Sequence, residues 1–174
     1  MKIILVFVAT LDGKITKWGN PMVRTWSSAE DQRYFTAVMK SARLVVMGSN
    51  TFNADPIKPQ PDRLMVIMTK NPDKYKNYEV PGQIEITKMS PSELTDHYKK
   101  KGFDSMFVFG GPHVGTSFFR EHLIDEVWLT VEPRIFGTGA NFVTDEKLDI
   151  QLRLLSSESV NQQGTLINKY SVIK

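Results

Sequence analysis

The stretch Ile3-Ile4-Leu5-Val6-Phe7-Val8-Ala9 stays apolar throughout and then passes directly into Thr10-Leu11-Asp12-Gly13-Lys14-Ile15. A run of this length is far too short to span a bilayer. Nor does it read as the apolar region of a signal peptide, because no small-residue cleavage site follows. It reads as the first strand of a cytoplasmic protein, buried on both faces. Three further runs have the same texture: Leu44–Met47, Met65–Met68 and Met106–Phe109. Continuous rather than alternating apolar runs suit the strands of a parallel sheet covered by helices on both sides.

Helical patterns separate several of these runs. Ser27-x-x-Glu30 reads as a capping box, and Phe35, Val38, Met39 and Ala42 follow at helical spacing. A second helix is expected over Ser92–Lys101, with Leu94 and Tyr98 on its inner face. A third is expected after Gly111, with Val114, Phe118 and His122 on one side. Farther on, Val127–Val131 reads as a strand. Leu152–Val160 and Thr165–Ile173 read as two strands joined around Gln162-Gln163-Gly164, an antiparallel hairpin. The fold class is therefore α/β: three layers, a mainly parallel central sheet with helices on both faces, and an antiparallel C-terminal hairpin. One domain over 1–174 accounts for the whole length.

Composition narrows the chemistry. The chain has no cysteine, which excludes disulfides, thiolate metal sites and a cysteine nucleophile. The net charge of +3 comes without a basic stripe interleaved with aromatics, so no nucleic-acid partner is expected. Lys99-Lys100-Lys101 reads as a solvated helix end. His97, His113 and His122 lack metal-ligand spacing, so no metal is expected.

Ligands of open α/β sheets bind beyond the carboxyl ends of the strands. Here that rule selects Ala9–Lys14, Gly48–Thr51, Thr69-Lys70 and Gly110–Val114. Gly110-Gly111 lets backbone approach a phosphate closely at the start of a helix. Gly48-Ser49-Asn50-Thr51 repeats the arrangement with hydroxyls, and Lys70 adds a charge. A plain tight turn and an ordinary loop lysine are the competing readings. Three anion-friendly strand ends suit a long polyphosphate such as a dinucleotide, although neither G-x-G-x-x-G nor the P-loop pattern is present. Asp31 shares the apolar face of its helix with Phe35, Val38 and Met39. A carboxylate there lines a cavity, holding a proton, or else sits in the first turn facing solvent. Trp18 and Trp26 flank a Gly-Asn-Pro turn, as loop anchors or as walls for a flat ligand.

Taken in order, these segments resemble the dihydrofolate reductase-like superfamily over nearly the whole chain, and above all the reductase domain of riboflavin biosynthesis. Thr10-Leu11-Asp12-Gly13-Lys14-Ile15 is similar to that domain's S-x-D-G-K-I opening. Val46-Met47-Gly48-x-x-Thr51 resembles the cofactor turn that both groups share. Gly110-Gly111, Leu123-Ile124-Asp125-Glu126-Val127 and Pro133-x-Ile135-Phe136-Gly137 resemble its G-G, L-V-D-E-L and P-x-L-L-G stretches. The resemblance implies an NADPH-dependent reductase that forms a homodimer through its C-terminal strands. Its cofactor residues carry over to Ala9, Ile15, Gly48, Ser49, Thr51, Thr69, Lys70, Gly110, Gly111 and Val114. Trp26-Ser27-Ser28-Ala29-Glu30-Asp31 is similar to the folate-reductase segment in which a tryptophan precedes the pterin-binding acid by five. Asp31 is accordingly expected to be catalytic, with the small heterocyclic substrate against Lys14, Trp26, Asp31 and Asp55. Two departures bear on that substrate. The riboflavin reductases carry D-D-P-x-L and a following arginine for the substrate phosphate, whereas Asn53-Ala54-Asp55-Pro56-Ile57-Lys58 keeps one acid and no arginine. The H-x-E and P-C-x-x-C motifs of the partner deaminase are absent from this chain. An aminouracil phosphate is the favoured substrate. Dihydrofolate or another pterin, and a non-catalytic dinucleotide-binding module, are the alternatives.

Overall fold

A computed structural model describes residues 1–174. Eight strands form one sheet: β1 (Lys2–Thr10), β2 (Leu44–Gly48), β3 (Leu64–Met68), β4 (Ile84–Thr87), β5 (Ser105–Val108), β6 (Glu126–Glu132), β7 (Leu152–Ser159) and β8 (Leu166–Val172). Their spatial order is β4-β3-β2-β5-β1-β6-β8-β7. All contacts from β4 to β6 are parallel, and β8 runs antiparallel to both β6 and β7. Strand β4, missing from the sequence reading, has only the four residues Ile-Glu-Ile-Thr, too short an alternation to stand out.

The continuous apolar runs follow from burial on both faces. In β1, Ile3 and Leu5 join a core under α3 (Pro91–Lys100) and α4 (Pro112–Arg120) with Leu94, Tyr98, Phe118 and Phe119. Ile4 and Val6 join the opposite core with Val38 and Met39 of α1 (Ala29–Ser41) and Phe52 of α2 (Ser49–Ala54). Burying a side chain of this size contributes about 1.5–3 kcal/mol. Both cores therefore depend on the strand pleat that divides neighbouring residues between them.

Helix boundaries differ in detail from the expectation. The N-cap of α1 is Ser28, whose hydroxyl accepts from Asp31 N–H at 3.2 Å, and not Ser27. The reciprocal capping box belongs to α3, between Ser90 and Glu93. His122 lies beyond α4 with φ 53, so it takes no part in that helix face. Trailing Lys99, Lys100 and Lys101 are exposed at the end of α3. No helix is long and apolar enough to cross a membrane. Because β1, β2, β3, β5 and β6 run the same way, their carboxyl ends share one edge of the sheet.

Candidate functional site

The glycines at that edge allow two strand ends to meet. Gly48 N–H donates to Gly110 O at 2.9 Å, joining the ends of β2 and β5. Gly110 has φ +80, and a Cβ there would lie 2.8 Å from Phe7 Cε1. A Cβ on Gly111 would lie 3.0 Å from Thr51 Oγ1, and one on Gly48 3.1 Å from Val114 Cγ2. Gly48, Thr51, Gly110, Gly111 and Val114 thus form one contiguous surface with backbone at its centre. Ser49 opens α2 directly beside it, and no side chain caps α4 at Gly111. Next along the edge, Thr69 continues β3 by donating its N–H to Thr87 O, and Lys70 is exposed.

On the other side of β5, the segment after β1 is tied to the segment after β6. Asp12 accepts from Gly137 N–H at 2.7 Å, Phe136 N–H at 3.2 Å and the Thr10 hydroxyl at 2.5 Å. Ile15 N–H donates to Ala140 O at 2.8 Å, and Lys14 Nζ to Asn141 Oδ1 at 2.7 Å. These bonds shape the turn between Ala9, which is buried, and Ile15. The Asp12 carboxyl is held below the usual carboxylate range, most of all by the Thr10 hydroxyl. Trp26 is buried edge-on against Phe136, with ring centroids 5.2 Å apart. Trp18, by contrast, is 69% exposed and donates its indole N–H to Phe136 O. The anchoring reading thus fits both tryptophans.

Asp31 faces inward, as its spacing implies, and is 5% exposed. One turn along α1, Phe35 meets Phe109 at the end of β5 in an edge contact of 5.0 Å, so the acid lies beside the glycine edge. Burial pushes the Asp31 carboxyl up to about 6. The Thr130 and Ser27 hydroxyls next to it act in the opposite direction, and the charge of Glu132 adds to the rise. Tyr34, also on this face, is pushed up to about 12 by burial and by the Asp31 charge.

Four residues that the sequence reading did not single out join this site. Thr130, Tyr34 and Glu132 surround Asp31; Glu132 is 2% exposed and accepts from Ser28 N–H at 2.7 Å and the Thr165 hydroxyl at 2.8 Å. A polar cavity of about 440 Å³ lies behind, lined by Glu132, Ser28 and Thr165 among others, but not by Asp31. The strand-end rule would have found Glu132 had it been applied to β6 as well. Arg24 is the fourth: its Nε sits 2.9 Å from Asp55 Oδ2 at the end of α2. Asp55 is therefore paired with an arginine from an earlier segment of the chain and not with one that follows it. Lys58, three residues after Asp55, is exposed.

The edge thus combines a backbone surface suited to phosphate groups with a buried acid that holds its proton more tightly than an ordinary aspartate. The fold has known counterparts. Over 99% of its length the chain superposes on 97% of a dihydrofolate reductase from Enterococcus faecalis, with a TM-score of 0.70 and 19% identity. It also superposes, at a TM-score of 0.77 and 17% identity, on 56% of a diaminohydroxyphosphoribosylaminopyrimidine deaminase/5-amino-6-(5-phosphoribosylamino)uracil reductase from Thermotoga maritima. In sequence, it is 23% identical over 168 residues to the uncharacterized protein YwjB of Bacillus subtilis strain 168, covering 92% of this chain and 93% of that one. The family model for the RibD C-terminal domain matches residues 1–166, and the chain belongs to that family.

Proposed function

We propose that this protein is an NADPH-dependent reductase of a small, electron-poor heterocycle, a ribosylaminopyrimidine phosphate in preference to a pterin. The observation that carries this reading is the buried Asp31 beside a strand edge at which a Cβ would crowd Gly48, Gly110 and Gly111. Gly48, Ser49, Thr51, Gly110, Gly111 and Val114 would hold the pyrophosphate, with Thr69 and Lys70 at the extra ribose phosphate. Ala9 and Ile15 would border the nicotinamide. When bound, NADPH supplies the hydride. The chain's own contribution is to orient the ring, exclude water and keep a proton at the Asp31 carboxyl for a ring nitrogen.

Membership of the RibD C-terminal domain family favours the aminopyrimidine. Arg24, opposite Asp55, supports a substrate phosphate at that end. Lys58 would add to it. Lys14, paired with Asn141, and Trp26, buried at Phe136, would shape the pocket and not the phosphate site. The pterin reading rests on Asp31 and on Trp26 five residues before it. The reading takes 1–174 as one cytoplasmic domain that pairs with a second copy. Support for pairing comes from edge strand β7, exposed along its length, with Leu154 54% and Leu155 52% exposed. NADPH oxidation measured with the aminopyrimidine phosphate beside dihydrofolate tests the substrate. Turnover of dihydrofolate alone, abolished by Asp31→Asn, would reverse the preference. Tight NADPH binding without turnover of either compound would leave a non-catalytic module.

A further inference from the structure

A carboxylate is almost never fully buried unless a cation meets it. Glu132 is 2% exposed, yet the six ion pairs of the chain include neither Glu132 nor Arg134. Its two donors, Ser28 N–H at 2.7 Å and the Thr165 hydroxyl at 2.8 Å, are uncharged, and each carboxylate oxygen can accept again. Glu132 and Glu30 both line the polar cavity of about 440 Å³. Asn161 ties the two carboxylates together. Its amide nitrogen donates to Glu30 Oε2 at 3.2 Å and to Thr165 Oγ1 at 3.0 Å, and Thr165 donates in turn to Glu132. The bond from Asn161, above all, holds the Glu30 carboxyl below the usual carboxylate range, so it is charged at neutral pH. Against these two charges the start of α1 at Ser28 brings only a partial positive charge, and Arg33 reaches Glu30 alone. Arg134 lines the same cavity, exposed and without an acid. Neither Asp31 nor any glycine of the strand edge lines it, so it is a second opening beside the nucleotide edge.

We propose that this cavity binds a small amino acid, with its ammonium group against Glu132 and Glu30 and its acid group on Arg134. An ammonium carries three N–H donors, enough to serve both carboxylates, and a guanidinium takes an acid group through charge-assisted hydrogen bonds. A divalent metal does not fit, because nowhere does the chain gather three His, Asp or Glu side chains that could hold one. Pro133 apart, every side chain lining the cavity is polar, which selects a short hydrophilic ligand over an aromatic one. The volume holds an amino acid together with ordered water. This inference is independent of the reductase reading.

The test titrates glycine, β-alanine and 4-aminobutyrate, which space the two charges differently, beside butylamine and butyrate, which each carry one of them. Binding is followed near neutral pH by amide chemical shifts of the ¹⁵N-labelled protein without nucleotide. At least one of the amino acids is expected to saturate the shifts of Ser28, Asn161 and Thr165 at concentrations up to about 10 mM, while Gly48, Gly110 and Gly111 stay in place. Butylamine is expected to bind severalfold more weakly, and butyrate not at all. Glu132→Gln, which keeps an acceptor for Ser28 N–H, is expected to weaken the amino acid by about tenfold through the lost charge. Arg134→Ala removes an exposed side chain that has no partner, and is expected to bring the amino acid down to the affinity of butylamine. The proposal is overturned if none of the three amino acids saturates, if butylamine or butyrate binds as tightly as the best of them, if the shifts fall on the glycine edge instead, or if the affinity survives both substitutions.

Discussion

Replacing Asp31 by asparagine separates stability from catalysis. The folded carboxyl sits at about 6 against an ordinary 3.8, a difference equivalent to about 3 kcal/mol. Well below pH 3.8 the group is neutral in folded and unfolded chains alike and contributes no pH dependence. As pH rises through 6, the unfolded chain is already ionised while the folded one must ionise in a buried site. The relative stability present at low pH is thereby lost. Asp31→Asn stays neutral and escapes this cost. It is expected to match the wild type near pH 3 and to exceed it by up to about 3 kcal/mol at pH 8. Urea unfolding followed by tryptophan fluorescence at half-unit pH intervals measures the difference. Catalysis should move the other way. With the acid at about 6, roughly a tenth is protonated at pH 7, and turnover should fall about tenfold per pH unit above that. The variant should lose about 10²–10⁴-fold and with it this pH dependence. A variant less stable than wild type at pH 8, or a stability gap that does not change between pH 4 and 8, would refute the reasoning.

Three further outcomes are expected. Lys70→Ala should weaken NADPH up to about fivefold, as for an exposed charge pair, and leave NADH unchanged; equal affinity of the wild type for both nucleotides would remove Thr69 and Lys70 from the phosphate site. Gly111→Ala places a Cβ 3.0 Å from Thr51 Oγ1, and overpacking of this kind costs about 1–3 kcal/mol of stability; the displaced turn is expected to weaken NADPH binding in a fluorescence titration. An unchanged affinity would show that this turn does not touch the nucleotide. Light scattering should give a dimer that Leu155→Asp on β7 dissociates, whereas a wild-type mass near 19.8 kDa at micromolar concentration would rule the dimer out.

Much of this architecture was legible in one dimension because its determinants are local. Ile3–Ala9, Leu44–Met47, Met65–Met68 and Met106–Phe109 are apolar on consecutive residues, and only a strand with a core on each face requires that. Asp31 was legible as an inward-facing acid because helical spacing places it with Val38 and Met39. Burial, the main reason that it holds its proton, follows from the same spacing. The opposing Thr130 hydroxyl and the added charge of Glu132, about a hundred residues away, were not legible, because only the pairing of β6 with β1 brings them against α1. Likewise Asp55 gave no hint of Arg24, 31 residues earlier, because an ion pair across two loops leaves no periodic trace. Spacing along the chain determines which face a residue presents. What that face meets is decided by strand order and loop closure, which bring together residues whose separation in sequence carries no information about their distance.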